Sequence, residues 1–144
     1  MGEVAAGTVL NLRVLTPEGA VLEGEVFEVT LPGSEGELGI LPSHATLLTR
    51  IVPGPLAYRA PEGQGAIALG RGVAEVIDDR VTVLVDRAVA EEEIDATAVE
   101  ARKLQLEAEL RDGSASEERN LQIEEELLVA EVQLRVARKG AEPH

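Results

Sequence analysis

The sequence predicts two unlike halves: an all-β sandwich or barrel of short antiparallel strands, followed by an α-helical antiparallel hairpin. Three observations carry this expectation. Twelve of the fourteen glycines lie at or before Gly72, and six of the seven prolines at or before Pro61. Up to Asp86 the apolar residues come in short β-branched runs divided by Gly and Pro turn signals, the pattern of a small antiparallel sheet protein. From Ile94 to Lys139 those punctuating residues nearly vanish, and Ala, Leu, Glu and Arg, all strong helix formers, take over. The change falls between about Asp86 and Asp95, dividing the chain into residues 1–90 and 91–144.

In chain order, Leu10, Leu12 and Val14 alternate with Asn11 and Arg13 as a half-buried strand does, and Pro17, Glu18 and Gly19 read as the turn that closes it. Val21 to Leu31 offers two further runs around Gly24, with Val26, Phe27, Val29 and Leu31 at apolar positions. Ile67 to Leu69 and Val73 to Ile77 follow glycine punctuation, and Asp78-Asp79 reads as a two-residue hairpin turn into Val81, Val83 and Val85. In the second half Asp95 is placed to cap a first helix that carries Ile94, Ala98, Ala101 and Ala108 on one stripe. Gly113 suits a left-handed C-cap. Ser114, with Glu117 three residues on, matches a capping box opening a second helix to about Lys139. Two helices joined so closely make an antiparallel hairpin, and the alanine stripe is expected to bring their backbones together.

Composition excludes several functions. The chain has 144 residues, 27 acidic against 13 basic, a formal net charge of -14, no cysteine or tryptophan, and one each of Phe and Tyr. Such a charge repels a phosphate backbone, and Phe27 and Tyr58 alone offer stacking faces, so a nucleic-acid partner is not expected. Absence of cysteine removes disulfides, thiolate nucleophiles and sulfur-ligated zinc. No run reaches the roughly 20 apolar residues that span a bilayer, and the start MGEVAAGTVLNLRV lacks the pattern of a signal peptide. A soluble chain is expected, with a core of Val, Leu, Ile and Ala. The surplus acidity is spread over both halves, with -6 through Ala90 and -8 from Glu91.

Searched for enzyme constellations, the sequence offers neither a phosphate loop nor a GxSxG elbow, and Gly70-Arg71-Gly72 is too brief for a dinucleotide fingerprint. His44 and His144 are the only histidines. His44 follows Pro42-Ser43, where it can pack or cap a loop; a catalytic triad would have to use it, yet no matching nucleophile is marked. Asp78-Asp79 and Glu91 to Glu93 could hold a hard cation, or simply form a solvated turn and a helix-start acidic cluster suited to the helix dipole. No metal is expected. Gly33 to His44, GSEGELGILPSH, is read as a long loop of the sandwich, either satisfying turn geometry or displaying a contact surface.

The second helix is physically unusual. At about 100° per residue, Ile123, Leu127, Ala130, Leu134 and Ala137 form one apolar stripe, whereas Leu128, Val129, Val132 and Val136 fall on the opposite side. A helix with two apolar faces cannot lie on one neighbour with its back to water. Either it is sandwiched between the first helix and the β-domain, or its second face has a binding site on another subunit and exchanges between the two. Arg135, Arg138 and Lys139 give its last turns a cationic end, which suits the helix dipole and would also favour an acidic partner.

These residues resemble the ε subunit of F-type ATP synthases, the central-stalk ε/δ family, over nearly the whole length. The resemblance is carried by Gly33-Ser34-Glu35-Gly36-Glu37-Leu38-Gly39-Ile40, followed by Leu41-Pro42-Ser43-His44-Ala45-Thr46-Leu47-Leu48-Thr49, close to the family's GSEGELGI and P-x-H-x-x-L-L-T. Leu69-Gly70-Arg71-Gly72-Val73-Ala74-Glu75-Val76 and Val81-Thr82-Val83-Leu84-Val85-Asp86 add to it. It implies a sandwich of about ten strands followed by two antiparallel helices. It implies a non-catalytic rotor part, with no cofactor, beside subunit γ and on the c-ring. Such a part couples the catalytic head to the ring and restrains ATP hydrolysis from the cytoplasmic face of a bacterial cell membrane, which it meets only through the ring. By the same resemblance, Ser34, Glu35, Gly36, Glu37, Leu38 and His44 belong to the c-ring-facing region. Leu121, Leu127, Leu128, Val132, Arg135, Val136 and Arg138 belong to an inhibitory helix that passes from a compact state to an extended one reaching the α and β subunits.

One departure bears on ligands. Some members bind ATP through I/L-D-x-x-R-A at the start of the first helix. Here Ile94 and Asp95 match, but Ala98 and Val99 stand at the Arg and Ala positions, and Gln105, Val129 and Gln133 stand where helping arginines would fall. Ala and Gln do not replace a guanidinium that pairs with phosphate, so weak or absent ATP binding is expected. Two other readings compete: a free-standing sandwich adaptor whose hairpin dimerises, and a small hydrolase using His44 with Glu35 or Glu37.

Overall fold

The computed structural model describes residues 9–141, and side chains as far as Arg138, so the Lys139 side chain and His144 lie outside it. Ten strands precede two helices: β1 (Leu10–Thr16), β2 (Gly19–Val26), β3 (Glu28–Gly33), β4 (Gly36–Ile40), β5 (Leu47–Ile51), β6 (Gly54–Ala60), β7 (Gly63–Leu69), β8 (Gly72–Ile77), β9 (Arg80–Val85) and β10 (Ala88–Ala90). A short 3₁₀ turn, Glu91–Glu93, leads into α1 (Ala96–Asp112) and α2 (Glu117–Ala141). The strands form one hydrogen-bonded path, β10-β7-β6-β3-β5-β8-β9-β1-β2, with β4 on the outer side of β3. The path folds over so that its two layers enclose a core.

That core follows from alternation. Leu10, Leu12 and Val14 of β1 and Val81, Val83 and Val85 of β9 point inward, joined by Leu31, Ile40, Leu56 and Ile67, because successive strand side chains face opposite sides. No polar side chain is buried among the described residues. The turn chemistry also follows the sequence: Asp78 and Asp79 both take positive φ, 48° and 63°, the backbone of a hairpin turn whose twist suits its strands.

Four local expectations are corrected. One strand pair is parallel: β1 runs alongside β9, Asn11 facing Arg80 through Leu15 facing Leu84. The two strands lie far apart in sequence, so no tight hairpin imposes an antiparallel sense. The break within Val21 to Leu31 falls at Phe27, not Gly24. Gly33 to His44 is not one long loop, since half of it is paired: β4 lies antiparallel to β3, with Gly33 opposite Gly36 around a two-residue tip.

The fourth correction concerns the helices. The Ala98 N–H donates to Asp95 Oδ1 at 3.1 Å, as expected of an N-cap, and Gly113 ends α1 with φ 74°. The second cap is Ser116, whose Oγ accepts from the Arg119 N–H at 3.1 Å, while Ser114 is turned back onto Asp112. Ala98, Ala101 and Ala108 face solvent, and α1 meets α2 through Leu106, its one fully buried residue.

Candidate functional site

The first candidate surface is the tip of the β3–β4 hairpin. Ser34 and Glu35 form the turn and Gly36 takes φ 125°, a conformation costly for any residue with a side chain. The tip is held from behind: the Ser34 N–H donates to the Arg50 carbonyl at 3.0 Å and the Val52 N–H to that of Pro32 at 3.0 Å. Ser34, Glu35, Gly36 and Glu37 are exposed and Leu38 is half-buried. The segment is thus a rigid, acidic prong on a tied backbone, suited to recognition and lacking any partner for acid–base chemistry.

His44 stands elsewhere. The Ser43 N–H donates to Asp79 Oδ1 at 2.6 Å, fastening the 41–46 loop to the β8–β9 turn. His44 Nδ1 lies 2.7 Å from the Ala45 carbonyl oxygen, a hydrogen bond when that nitrogen carries the proton. The prong is tied to Arg50, which faces Val73 at the beginning of β8, whereas Asp79 lies beyond the end of that strand. The two regions are therefore separated by about five strand residues, roughly 17 Å at the usual rise. The geometry does not join His44 to Glu35 or Glu37 as a catalytic pair. Asp79 is committed to the loop, and no group of three potential metal ligands assembles among the described residues.

Sequence reasoning missed a second surface. On the outer face of β5, β8 and β9, Arg50, Val73 and Leu84 form one cross-strand row, and Leu48, Glu75 and Thr82 the next. Leu48 is 72 % exposed, Leu84 48 % and Val73 40 %, a cluster of large aliphatics that water does not favour and that marks an interaction face. The signal was available in Val81-Thr82-Val83-Leu84-Val85, which is apolar beyond its inward positions.

The third element is the helical hairpin. Its seam has an apolar part, Leu106, Ile123, Ala130 and Leu134, and an ionic part. Arg119 grips Glu109 through two hydrogen bonds, 2.7 and 2.9 Å, and reaches Glu126 at 3.3 Å, which in turn receives Arg102 at 3.0 Å. Hydrogen bonding to Arg119 holds the Glu109 carboxyl below its ordinary value and raises the guanidinium correspondingly. On the opposite side of α2, Val132 and Val136 press on Ala68 of β7, with Ala66 and Ile94 beside them. Both apolar faces are thus occupied within the chain, the sandwiched alternative of the two expected. Of the remaining residues assigned to this helix by resemblance, Leu127 and Leu128 are half-buried, Leu121 is 67 % exposed, Arg135 is exposed, and Arg138, also exposed, lies 3.9 Å from the Glu100 carboxylate of α1. Asp95 is engaged as a cap, and Ala98 and Gln105 are exposed without offering a cationic group. Among the described residues no helix is long and apolar enough to cross a membrane.

Comparison with known proteins agrees with this architecture. Residues 9–91 match the β-sandwich domain of the ATP synthase delta/epsilon chain. An ATP synthase epsilon chain of Parasynechococcus marenigrum is 50% identical over 92 residues, 64% of this chain and 68% of that one. Epsilon chain 2 of Syntrophotalea carbinolica is 36% identical over 131 residues, 91% of this chain and 95% of its own. Among solved structures, a chain of the Euglena gracilis mitochondrial ATP synthase, in an OSCP/F1/c-ring assembly, superposes with a TM-score of 0.77 at 25% identity, covering 96% of this chain and 86% of that one. With a match that spans the sandwich and a relative aligned over 91% of its length, the chain belongs to the ATP synthase delta/epsilon family, as an ε subunit of the F-type enzyme.

Proposed function

We propose that this ε subunit is a non-catalytic rotor part that couples the catalytic head to the c-ring and restrains ATP hydrolysis through its helical hairpin. The observation that carries the reading is α2 itself. Both of its apolar faces are covered in this state, one by α1 and the other by a small patch of β7, so leaving the second cover would expose an apolar stripe that another subunit can bind. The acidic prong, Ser34 to Leu38, is suited to meeting polar loops of the c-ring, and the aliphatic face of Leu48, Val73 and Leu84 to packing against subunit γ. In this reading α2, with Arg135 and Arg138 at its end, reaches the α and β subunits when extended. The chain then lies on the cytoplasmic face of the membrane and touches the bilayer only through the ring.

The direct test removes residues 114–144 and reconstitutes the head with the truncated subunit. ATP hydrolysis is expected to rise several-fold relative to the full chain, while co-purification with γ and the c-ring persists. Unchanged hydrolysis would refute the inhibitory role; loss of γ and the ring from the full-length chain would refute the rotor reading.

A further inference from the structure

The backbone concentrates its strain in one place. Among the described residues three non-glycine residues take positive φ, Ser43 at 70°, Asp78 at 48° and Asp79 at 63°, and all three meet where the 41–46 loop touches the β8–β9 turn. For the aspartates the cost is small, because short polar side chains tolerate the left-handed region and a two-residue hairpin turn requires it. Ser43 is different. The His44 N–H donates to the Leu41 carbonyl at 3.1 Å, closing a four-residue turn with Pro42 second and Ser43 third. Proline second and positive φ third is the pattern of a type II turn, whose third position ordinarily belongs to glycine. A serine persists there only where its surroundings over-determine it.

Asp79 supplies that constraint. Its carbonyl accepts the Asn11 N–H at 2.8 Å, which ties the β8–β9 turn to β1. From this fixed base its Oδ1 accepts the Ser43 N–H at 2.6 Å, and a carboxylate acceptor makes such a bond stronger than one to a neutral group. The turn held in this way displays Leu41, 55 % exposed, at one end, and at the other the half-buried His44, whose Nδ1 lies 2.7 Å from the Ala45 carbonyl oxygen. Leu41 stands largely in water, so its burial does not account for the strain beside it. We infer that Asp79 is a positioning residue for docking: it holds Ser43 in the left-handed conformation and so presents Leu41 and His44 as a preformed contact for the polar loops of the c-ring. Fixing the loop in advance removes the cost of ordering it on binding. Asp79 acts through Ser43 and not by touching the ring. The inference rests on the rotor reading for the identity of the partner.

Three substitutions separate the tether from the turn. Asp79→Gly suits the positive φ of the turn but removes the acceptor, Asp79→Asn keeps an acceptor oxygen without the charge, and Ser43→Gly makes the left-handed conformation inexpensive without a tether. Amide exchange is followed by NMR on the full-length subunit, and affinity is measured for the ATP synthase complex stripped of its ε subunit. In Asp79→Gly the Ser43 amide is expected to exchange about tenfold faster or more, as loss of a hydrogen bond to a charged acceptor implies, with the melting temperature unchanged and the affinity lowered by about threefold or more. Asp79→Asn should hold its affinity within about twofold of wild type, since the acceptor remains. Adding Ser43→Gly to Asp79→Gly should recover affinity while the amide at position 43 stays fast, which keeps the test independent of any change in stability. Unchanged Ser43 exchange in Asp79→Gly overturns the inference. Equal loss of affinity in Asp79→Asn and Asp79→Gly, without rescue by Ser43→Gly, overturns it as well, because the carboxylate would then meet the ring directly. Full affinity in Asp79→Gly refutes this inference alone, whereas failure of the wild-type subunit to bind the stripped complex refutes the rotor reading and the docking role together.

Discussion

Ser116 and Ser114 differ by two positions and have opposite roles, which only the backbone geometry decides. A cap needs its hydroxyl beneath the N–H three residues on; Ser116 meets Arg119 in that way, and Ser114 is engaged by Asp112. Ser116→Ala is therefore expected to cost about 1 kcal/mol, and Ser114→Ala much less, measured by denaturant unfolding followed by helical circular dichroism. The capping-box pattern points to Ser114, with Glu117 three residues on, and away from Ser116, which has Arg119 at that distance, because residue spacing does not reveal where the preceding loop ends. Asp95 and Gly113 were legible, since one lies next to a helix and the other in the only glycine break of that region. ATP binding is also decided at single residues. By the resemblance, arginines at positions 98 and 105 would hold a phosphate; Ala98 and Gln105 are exposed there and carry no guanidinium, and Asp95 is committed as a cap. Isothermal titration of the subunit with ATP is expected to give no affinity tighter than millimolar.

The fate of the alanine stripe on α1 shows what pattern reading misses at the scale of elements. Small residues at helical spacing suggested close packing, yet a stripe of alanines is equally compatible with solvent, and the larger Leu106 claims the seam. The two-faced pattern of α2 was legible because large aliphatics on opposite sides need two neighbours. The pattern left open whether the second neighbour was internal, and the fold supplies it as β7. The seam carries a pH signature. Arg119 depresses the Glu109 carboxyl from its ordinary 4.5, so the folded state favours the anion. That contribution is present above pH 4.5 and is lost as pH falls through the lowered folded value. Glu109→Gln should therefore lower the melting temperature of the helices at pH 7 and do so less at pH 3. High salt should shrink the difference as well, the pair being partly exposed. A difference that stays constant between the two pH values would show that the carboxylate is not what Arg119 holds.

At the scale of the whole molecule, the outer surface of the sandwich is divided among tasks. The outer face of β7 carries alanines and receives α2, the β3–β4 hairpin projects an acidic prong, and the outer face of β5, β8 and β9 bears Leu48, Val73 and Leu84. Inward positions were readable from alternation, but the apolar outward ones were not singled out, since a run such as Val81 to Val85 reads equally as a strand buried on both sides. Among the described residues Leu48 and Leu84 stay substantially open to solvent, so their exposure has a different cause from the core's need for volume. Replacing either by glutamate removes no internal contact of consequence, and the melting temperature of the isolated subunit is expected to change by no more than the equivalent of about 0.5 kcal/mol. In the rotor reading the same substitutions bury an unpaired carboxylate against subunit γ, at a cost of several kcal/mol. Leu48→Glu with Leu84→Glu should therefore fold normally and fail to co-purify with γ, whereas Leu104→Glu, on an exposed face of α1, should fold and co-purify. If the double variant retained γ at wild-type stoichiometry, this face would not be the rotor contact, and γ would have to be held elsewhere on the sandwich.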